Sequence, residues 1–209
     1  MSGIYLKRNC ENGARVDLLK SIFMIAVFMI CAGWGFAQEA GKARFGIQAS
    51  YGNPYYIPSY ADGAPSFEGR YFFDIGILYI KPLSKKWEFE TGLVYSNNQF
   101  RVTPSDPFGP PIPPYNLAMN YWVVPANFRL WLPRRFFLQA GPNLVHSANE
   151  SFGFFRLGFS MGIGKEFNLG EKYALLIAPT FNANPYFPRN WDGNTQLGIR
   201  TVFVLPSKP

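Results

Sequence analysis

Glu88 and Glu90 stand two residues apart in the segment WEFETGLVYS. At that spacing two carboxylates share one face of an extended strand, and such a pair can divide acid and base work between its members. His146 and Ser147 adjoin each other, with Glu150 and Ser151 just beyond. A histidine, a hydroxyl and a carboxylate at an outer rim would suit a lipid-modifying membrane enzyme, lipid A deacylase-like in its chemistry. Neighbouring residues of a regular strand point to opposite faces, so His146 and Ser147 meet only if the strand breaks there. One His and two Cys in 209 residues leave little for a metal centre or a histidine-based site. No metal and no cofactor are expected. The formal charge of +7 comes without a basic helical run or an RNA-binding signature, so no nucleic-acid partner is expected either.

These residues need elements to hold them. Residues 22–37 form an uncharged apolar run behind Lys7, Arg8, Arg15 and Lys20, and the run ends on Gly35-Phe36-Ala37. That is the layout of an export signal peptide over 1–37, cleaved between Ala37 and Gln38. It is too short for a membrane anchor, which needs about 20 apolar residues. Cys31 follows Ile30, not the small residue a lipoprotein signal requires. Both cysteines, Cys10 and Cys31, lie in the segment to be removed, so the remaining domain, 38–209, has none.

Period-two alternation runs through 38–209. In 71–80, Tyr71, Phe73, Ile75, Ile77 and Tyr79 oppose Phe72, Asp74, Gly76, Leu78 and Ile80. In 155–166, Phe155, Leu157, Phe159, Met161 and Ile163 oppose Arg156, Gly158, Ser160, Gly162 and Gly164. The same pattern predicts eight strands, at 43–52, 69–82, 87–102, 117–132, 136–147, 154–167, 173–184 and 195–205. Most are ten residues or longer. Strands of soluble domains average about five or six, whereas a tilted strand crossing a bilayer needs about 9–11. Turns near Ser84-Lys85-Lys86, Pro133-Arg134-Arg135 and NLGEK are short, and the other connections are longer. The fold expected is all-β: an eight-stranded antiparallel up-and-down transmembrane β-barrel of outer-membrane type, short turns toward the periplasm.

A soluble lipocalin-like ligand carrier would share the alternation with its apolar face turned inward. The polar face argues against it. That face carries Gly46, Gly76, Gly92, Gly141, Gly158, Gly162, Gly164 and Gly198 beside charged residues. Glycine serves little purpose on a solvated sheet, but in a narrow lumen it leaves room for a long side chain from across the barrel. Arg44, Asp74, Glu88, Glu90, Arg129, Arg156, Glu166 and Arg200 form a charge-balanced set, expected as a luminal ion-pair network. Glu88 and Glu90 then read as arginine partners, since side chains fill so small a barrel and leave no room for substrate. Tyr71, Tyr79, Trp87, Tyr95, Trp122, Phe136 and Tyr173 fall near the strand ends on the apolar face, as girdles at the two membrane interfaces would. Pro125 and Pro142 lie within predicted strands, where a missing N–H calls for a bulge or a shifted register.

Two segments carry a resemblance. Tyr121-Trp122-Val123-Val124-Pro125-Ala126-Asn127-Phe128-Arg129 resembles the Y-x-x-x-P strand of the PorT-like small outer-membrane barrels. Phe137-Leu138-Gln139-Ala140-Gly141-Pro142-Asn143 resembles the next strand of that family. The resemblance implies an eight-stranded barrel in the cell outer membrane. For some members it implies a part in type IX secretion or gliding, and it carries over no functional residue. The role expected is structural or interaction-based, within a secretion or other envelope assembly; a filled lumen and the lack of a base-to-nucleophile geometry argue against an enzyme.

The rims remain. The second long loop holds Pro104, Pro107, Pro110, Pro111, Pro113 and Pro114, which favour stiff extended conformations. Tyr55, Tyr56, Tyr60, Phe67, Phe108, Tyr115 and Trp191 are the candidate external binding surface. The expected partners are outer-membrane lipid and an envelope or secretion protein. At the other end Lys85, Lys86, Arg134, Arg135 and Lys172 either meet anionic headgroups or are simply solvated.

Overall fold

The computed structural model describes residues 42–57, 65–105, 112–147, 155–170, 172–185 and 193–206. Residues 1–37, expected to be an export signal, and Tyr60, Phe108, Trp191, Pro107, Pro110, Pro111, Glu150 and Ser151 lie outside them. Eight strands close into an antiparallel barrel in chain order. They are β1 (Arg44–Ile57), β2 (Ser66–Pro82), β3 (Trp87–Thr103), β4 (Tyr115–Trp131), β5 (Phe136–Ser147), β6 (Phe155–Leu169), β7 (Tyr173–Pro185) and β8 (Gly193–Val204). Closure comes from β1 pairing with β8, Gly46 opposite Val204 through Ile57 opposite Gly193. Every strand thus has two neighbours and no sheet edge runs the length of the wall.

The apolar stripe faces outward. Ile77 and Leu157 are each two-thirds exposed, while Asp74, Glu88, Glu90, Asn127, Arg129 and Arg200 are buried within. On the outside, Phe45–Tyr79, Phe89–Phe128 and Tyr173–Phe203 pack ring against ring near the short turns. Tyr51–Tyr71, Phe73–Tyr95 and Tyr95–Trp122 do so near the longer loops. Isoleucine, leucine and methionine fill the band between. Trp87 and Tyr95 are eight residues apart on β3. At about 3.4 Å per residue and a tilt of about 40°, their rings stand roughly 20 Å apart in height, close to the apolar band of a membrane barrel. An apolar belt between two aromatic girdles, around a polar filled interior, is the surface of an outer-membrane barrel. It is the reverse of the soluble carrier.

Four expectations change. The first connection is shorter than 53–68, because β1 continues to Ile57 and β2 begins at Ser66. Asn53-Pro54-Tyr55-Tyr56-Ile57 stays extended by pairing with β8, not β2. The prolines call for neither a bulge nor a new register. Around Pro125 the pairing lapses between Thr91–Ala126 and Val94–Val123, and between Pro125–Asn143 and Phe128–Ala140, yet the offset is the same on both sides of each gap. The missing donor costs ladder bonds and leaves the alignment intact. The described register shift lies instead between Gly69 and Tyr71. It turns Phe67 inward although Phe72, of opposite parity, is inward too. Finally, glycine makes room mainly for rings and neighbouring backbone, not for arginine. A Cβ on Gly164 would meet the Phe137 ring at 2.4 Å, and one on Gly198 the Phe72 ring at 2.6 Å.

The lumen is also less uniformly polar than expected. Leu78, Ile80, Val94, Phe137, Leu176, Val202 and Val204 form an apolar cluster inside it. They keep the luminal parity of their strands and come from β2, β3, β5, β7 and β8, so they pack inside the barrel together with the charged residues.

Candidate functional site

The charged cluster is built by alternation. Glu88 and Glu90 project inward from β3, and Asn127 and Arg129 from β4, directly cross-strand from Glu90 and Glu88. β1 supplies Arg44 and Gln48, β5 supplies Gln139 and β8 supplies Arg200. Arg129 donates through Nη1 to Glu88 Oε2 at 2.9 Å and through Nη2 to Glu90 Oε2 at 2.5 Å. Glu90 Oε1 accepts from Arg200 Nη2 at 2.5 Å and from Asn127 Nδ2 at 3.2 Å. The rest of the Arg200 fork donates to Gln48 at 3.0 Å and Gln139 at 2.8 Å. Arg44 reaches Glu88 Oε1 at 2.5 Å. Both carboxylates are bridged between guanidinium groups, and Arg129 and Glu90 are 1% and 0% exposed. The Arg129 guanidinium also lies 4.9 Å from the Phe137 ring centre and 5.9 Å from that of Trp131. In a low-dielectric interior this shared geometry offsets the desolvation of five charges.

Of the eight residues expected in the network, Asp74 lies at its edge beside Arg200, and Arg156 and Glu166 stand apart from it. Asp74 lies cross-strand from Ser50 and Ser96. Arg156 is near the loop end of β6, with contacts of its own there. Glu166 is near the other end of β6, opposite Leu176. All three have luminal parity, but only Asp74 comes near the cluster: it and Arg200 are both cross-strand from Ser50 and line one cavity.

Toward the long loops the interior changes chemistry. Gln196 donates to Ser96 at 3.0 Å and Asn98 at 2.8 Å, and accepts from Asn182 at 3.0 Å. Ser160 donates to Asn127 at 2.6 Å. Between this amide layer and Arg200 lies a polar cavity of about 40 Å³, lined by Ser50, Asp74, Asn143, Thr180 and Asn184 among others. That is room for a few water molecules. The amide layer was not foreseen from the sequence. Its signal was there, since Ser96-Asn98, Asn182-Asn184 and Asn194-Gln196 each repeat amides or hydroxyls at period two in luminal phase.

The candidate catalytic pair does not assemble among the described residues. His146 lies on the outer side, its ring 5.0 Å from that of Phe155, whereas Ser147 is buried on the other face of the same strand. The candidate external surface divides in the same way. Tyr55 and Tyr115 are exposed outside. Tyr56 and Phe67 turn into the barrel mouth, with ring centres 4.2 Å apart, and Tyr56 also packs on the buried Phe100.

No family profile matches the chain, and neither does the sequence of any curated protein. Solved structures with the same general form do. The outer membrane protein OprG from Pseudomonas aeruginosa is 13% identical over 77% of this chain and 94% of its own, with a TM-score of 0.44. Ail, the attachment invasion locus protein of Yersinia pestis, is 15% identical over 79% and 100%, with a TM-score of 0.39. The translocator domain of the autotransporter NalP from Neisseria meningitidis is 9% identical over 92% and 98%, with a TM-score of 0.34. At those identities and scores they add no argument to the strand pairing described above.

Proposed function

We propose that this outer-membrane barrel has a structural or protein-interaction role in the envelope, as a PorT-like protein of a type IX secretion or similar assembly. The observation that carries this reading is the obstructed lumen. Arg44, Glu88, Arg129, Glu90 and Arg200 link β1, β3, β4 and β8 across the interior. An apolar cluster fills the space beside them, and the cavity beyond holds only water-sized molecules. A barrel filled in this way offers its surroundings a wall and two rims, not a passage. The PorT-like assignment rests on the two motif segments, which are neighbours in the barrel: Pro125 of the first is cross-strand from Asn143 of the second.

The test is affinity capture of the tagged protein from detergent-solubilised outer membrane, with conductance of the purified barrel measured in planar bilayers. A specific envelope protein that co-purifies, and is lost when Tyr55 and Tyr115 are both replaced by serine, supports the reading. Steady conductance of small ions contradicts the closed lumen. Failure to recover any specific partner, together with altered lipid A after deletion, transfers the function to lipid modification.

A further inference from the structure

The turns between β2 and β3, β4 and β5, and β6 and β7 share one residue order: a basic residue, then a lipid-facing aromatic that opens the next strand. The pairs are Lys86-Trp87, Arg135-Phe136 and Lys172-Tyr173. In each pair the basic residue is exposed and the ring is two-fifths or more exposed on the apolar belt. Arg44-Phe45 opens β1 with the same order, but there the guanidinium turns inward to Glu88.

One turn carries a second signal. Arg134 and Arg135 have φ of 60° and 63°, so two consecutive arginines occupy the left-handed region. Asn-Gly is the relaxed choice for a two-residue turn of that kind, and a side chain with a Cβ is strained there. Two guanidinium groups are therefore held at this rim against the conformational preference of their own backbone. Such strain persists where the surroundings or the function favour it.

Lys165 fixes the height of the ring. It lies on the outer face of β6, its ammonium 5.1 Å from the Phe136 ring centre and 5.5 Å from that of Phe167. A cation sits directly on the edge of the aromatic girdle. The turn residues are one step further toward water, at the level where lipid phosphates lie when girdle rings sit at the interface.

We infer that the short-turn rim is a binding surface for anionic phospholipid headgroups. The lipid-facing rings take the interface, and the basic residues of the three hairpins take the phosphates. Lipid suits the arrangement better than an acidic protein. The charges are spread over three hairpins around the circumference, each beside a belt aromatic, as an encircling leaflet requires. A protein partner would favour charges gathered on one side. The inference needs only the membrane-spanning fold and is independent of any role in a secretion assembly.

The test uses the processed barrel reconstituted in phosphatidylcholine vesicles, with Trp122, Trp131 and Trp191 replaced by phenylalanine so that Trp87 reports. Brominated phosphatidylglycerol and brominated phosphatidylcholine compete to quench it. The expected preference for phosphatidylglycerol is about fivefold or more at low ionic strength, from roughly that gain per basic residue at an anionic surface. It should shrink in about 0.5 M salt. In a barrel carrying Lys85→Gln, Lys86→Gln, Arg134→Asn, Arg135→Gly and Lys172→Gln the preference should approach one. The Asn-Gly pair relaxes its turn, so loss of folding is not the expected route to that result. A second reporter that keeps Trp122 and lacks Trp87 reads the opposite girdle and should show no such preference. Equal quenching by both lipids in the parent, a preference that survives the neutralised rim, or the same preference at Trp122 each overturns the inference. Capture of an acidic protein by the rim, with no lipid preference, overturns it as well.

Discussion

The two halves of the lumen are built from side chains of the same parity and use opposite chemistry. Toward the short turns, Glu90 is shared by Arg129 and Arg200, and Glu88 by Arg129 and Arg44. Toward the loops, neutral amides and hydroxyls hand hydrogen bonds along a ladder beside a small polar cavity. Charges taken out of water need a defined partner, because removing one strands the other. Amides can exchange partners with each other and with water, so the loss of one is absorbed. The first half should therefore behave as a rigid cross-link and the second as a tolerant, hydrated packing layer.

The contrast is broken or sharpened most directly at Glu90. Glu90→Leu leaves Arg129 and Arg200 buried without the carboxylate they share, and should cost about 3–5 kcal/mol. Urea titration of the folded barrel in detergent, followed by gel mobility with and without heating, reads the loss. Glu90→Gln keeps an acceptor and should lose less. If Glu90→Leu is tolerated as well as an amide-layer substitution, the two halves do not differ in the way argued.

Packing near the charged half gives the next effect. The Cβ of Gly164→Ala would lie 2.4 Å from the Phe137 ring and 2.5 Å from the Ile177 carbonyl. Overpacking of that kind costs about 1–3 kcal/mol, and Phe137 is the ring under the Arg129 guanidinium. Adding Phe137→Leu should recover part of the loss in the same titration, whereas strict additivity would mean that the ring is not what Gly164 accommodates.

Smaller shifts follow at the turn and in the amide layer. Arg134→Asn with Arg135→Gly should raise stability by about 1–2 kcal/mol, by removing two strained left-handed residues. Asn184 Oδ1 has no hydrogen-bond partner among the described residues, so Asn184→Ala should change stability by less than about 1 kcal/mol. A loss at Asn184 comparable to that at Glu90 would mean that the loop half is as tightly specified as the charged half.

Much of this could be read along the chain, and the failures have common causes. Tyr71 through Ile80 shows both faces of β2 because alternation is a local property of an extended backbone. Glu88, Glu90, Arg129 and Arg200 were legible as luminal for the same reason. That Arg200 contacts Glu90, on a strand 110 residues away in sequence, was not, and neither was the separation of Arg156 and Glu166 from the cluster. Parity gives the side of the wall, and axial height depends on the stagger between strands. Tyr56 and Phe67 were read as exposed loop residues. The first sits on a strand extension paired with β8, and the second beyond a register shift, so both rings reach the mouth. The strain at Arg134 and Arg135 left no mark in residue type, since arginine is an ordinary residue in most turns.

By itself the sequence determined an even set of long alternating strands, a lipid-facing apolar stripe and a charged, glycine-bearing inner one. Those properties follow from residue order within single strands, where side chains alternate whatever the neighbouring strand does. Only the tertiary structure decided which guanidinium meets which carboxylate, that apolar residues share the lumen, that the prolines keep register, and where the rim charges stand relative to the girdle. Each of those depends on closure and stagger, which are set by all eight strands together.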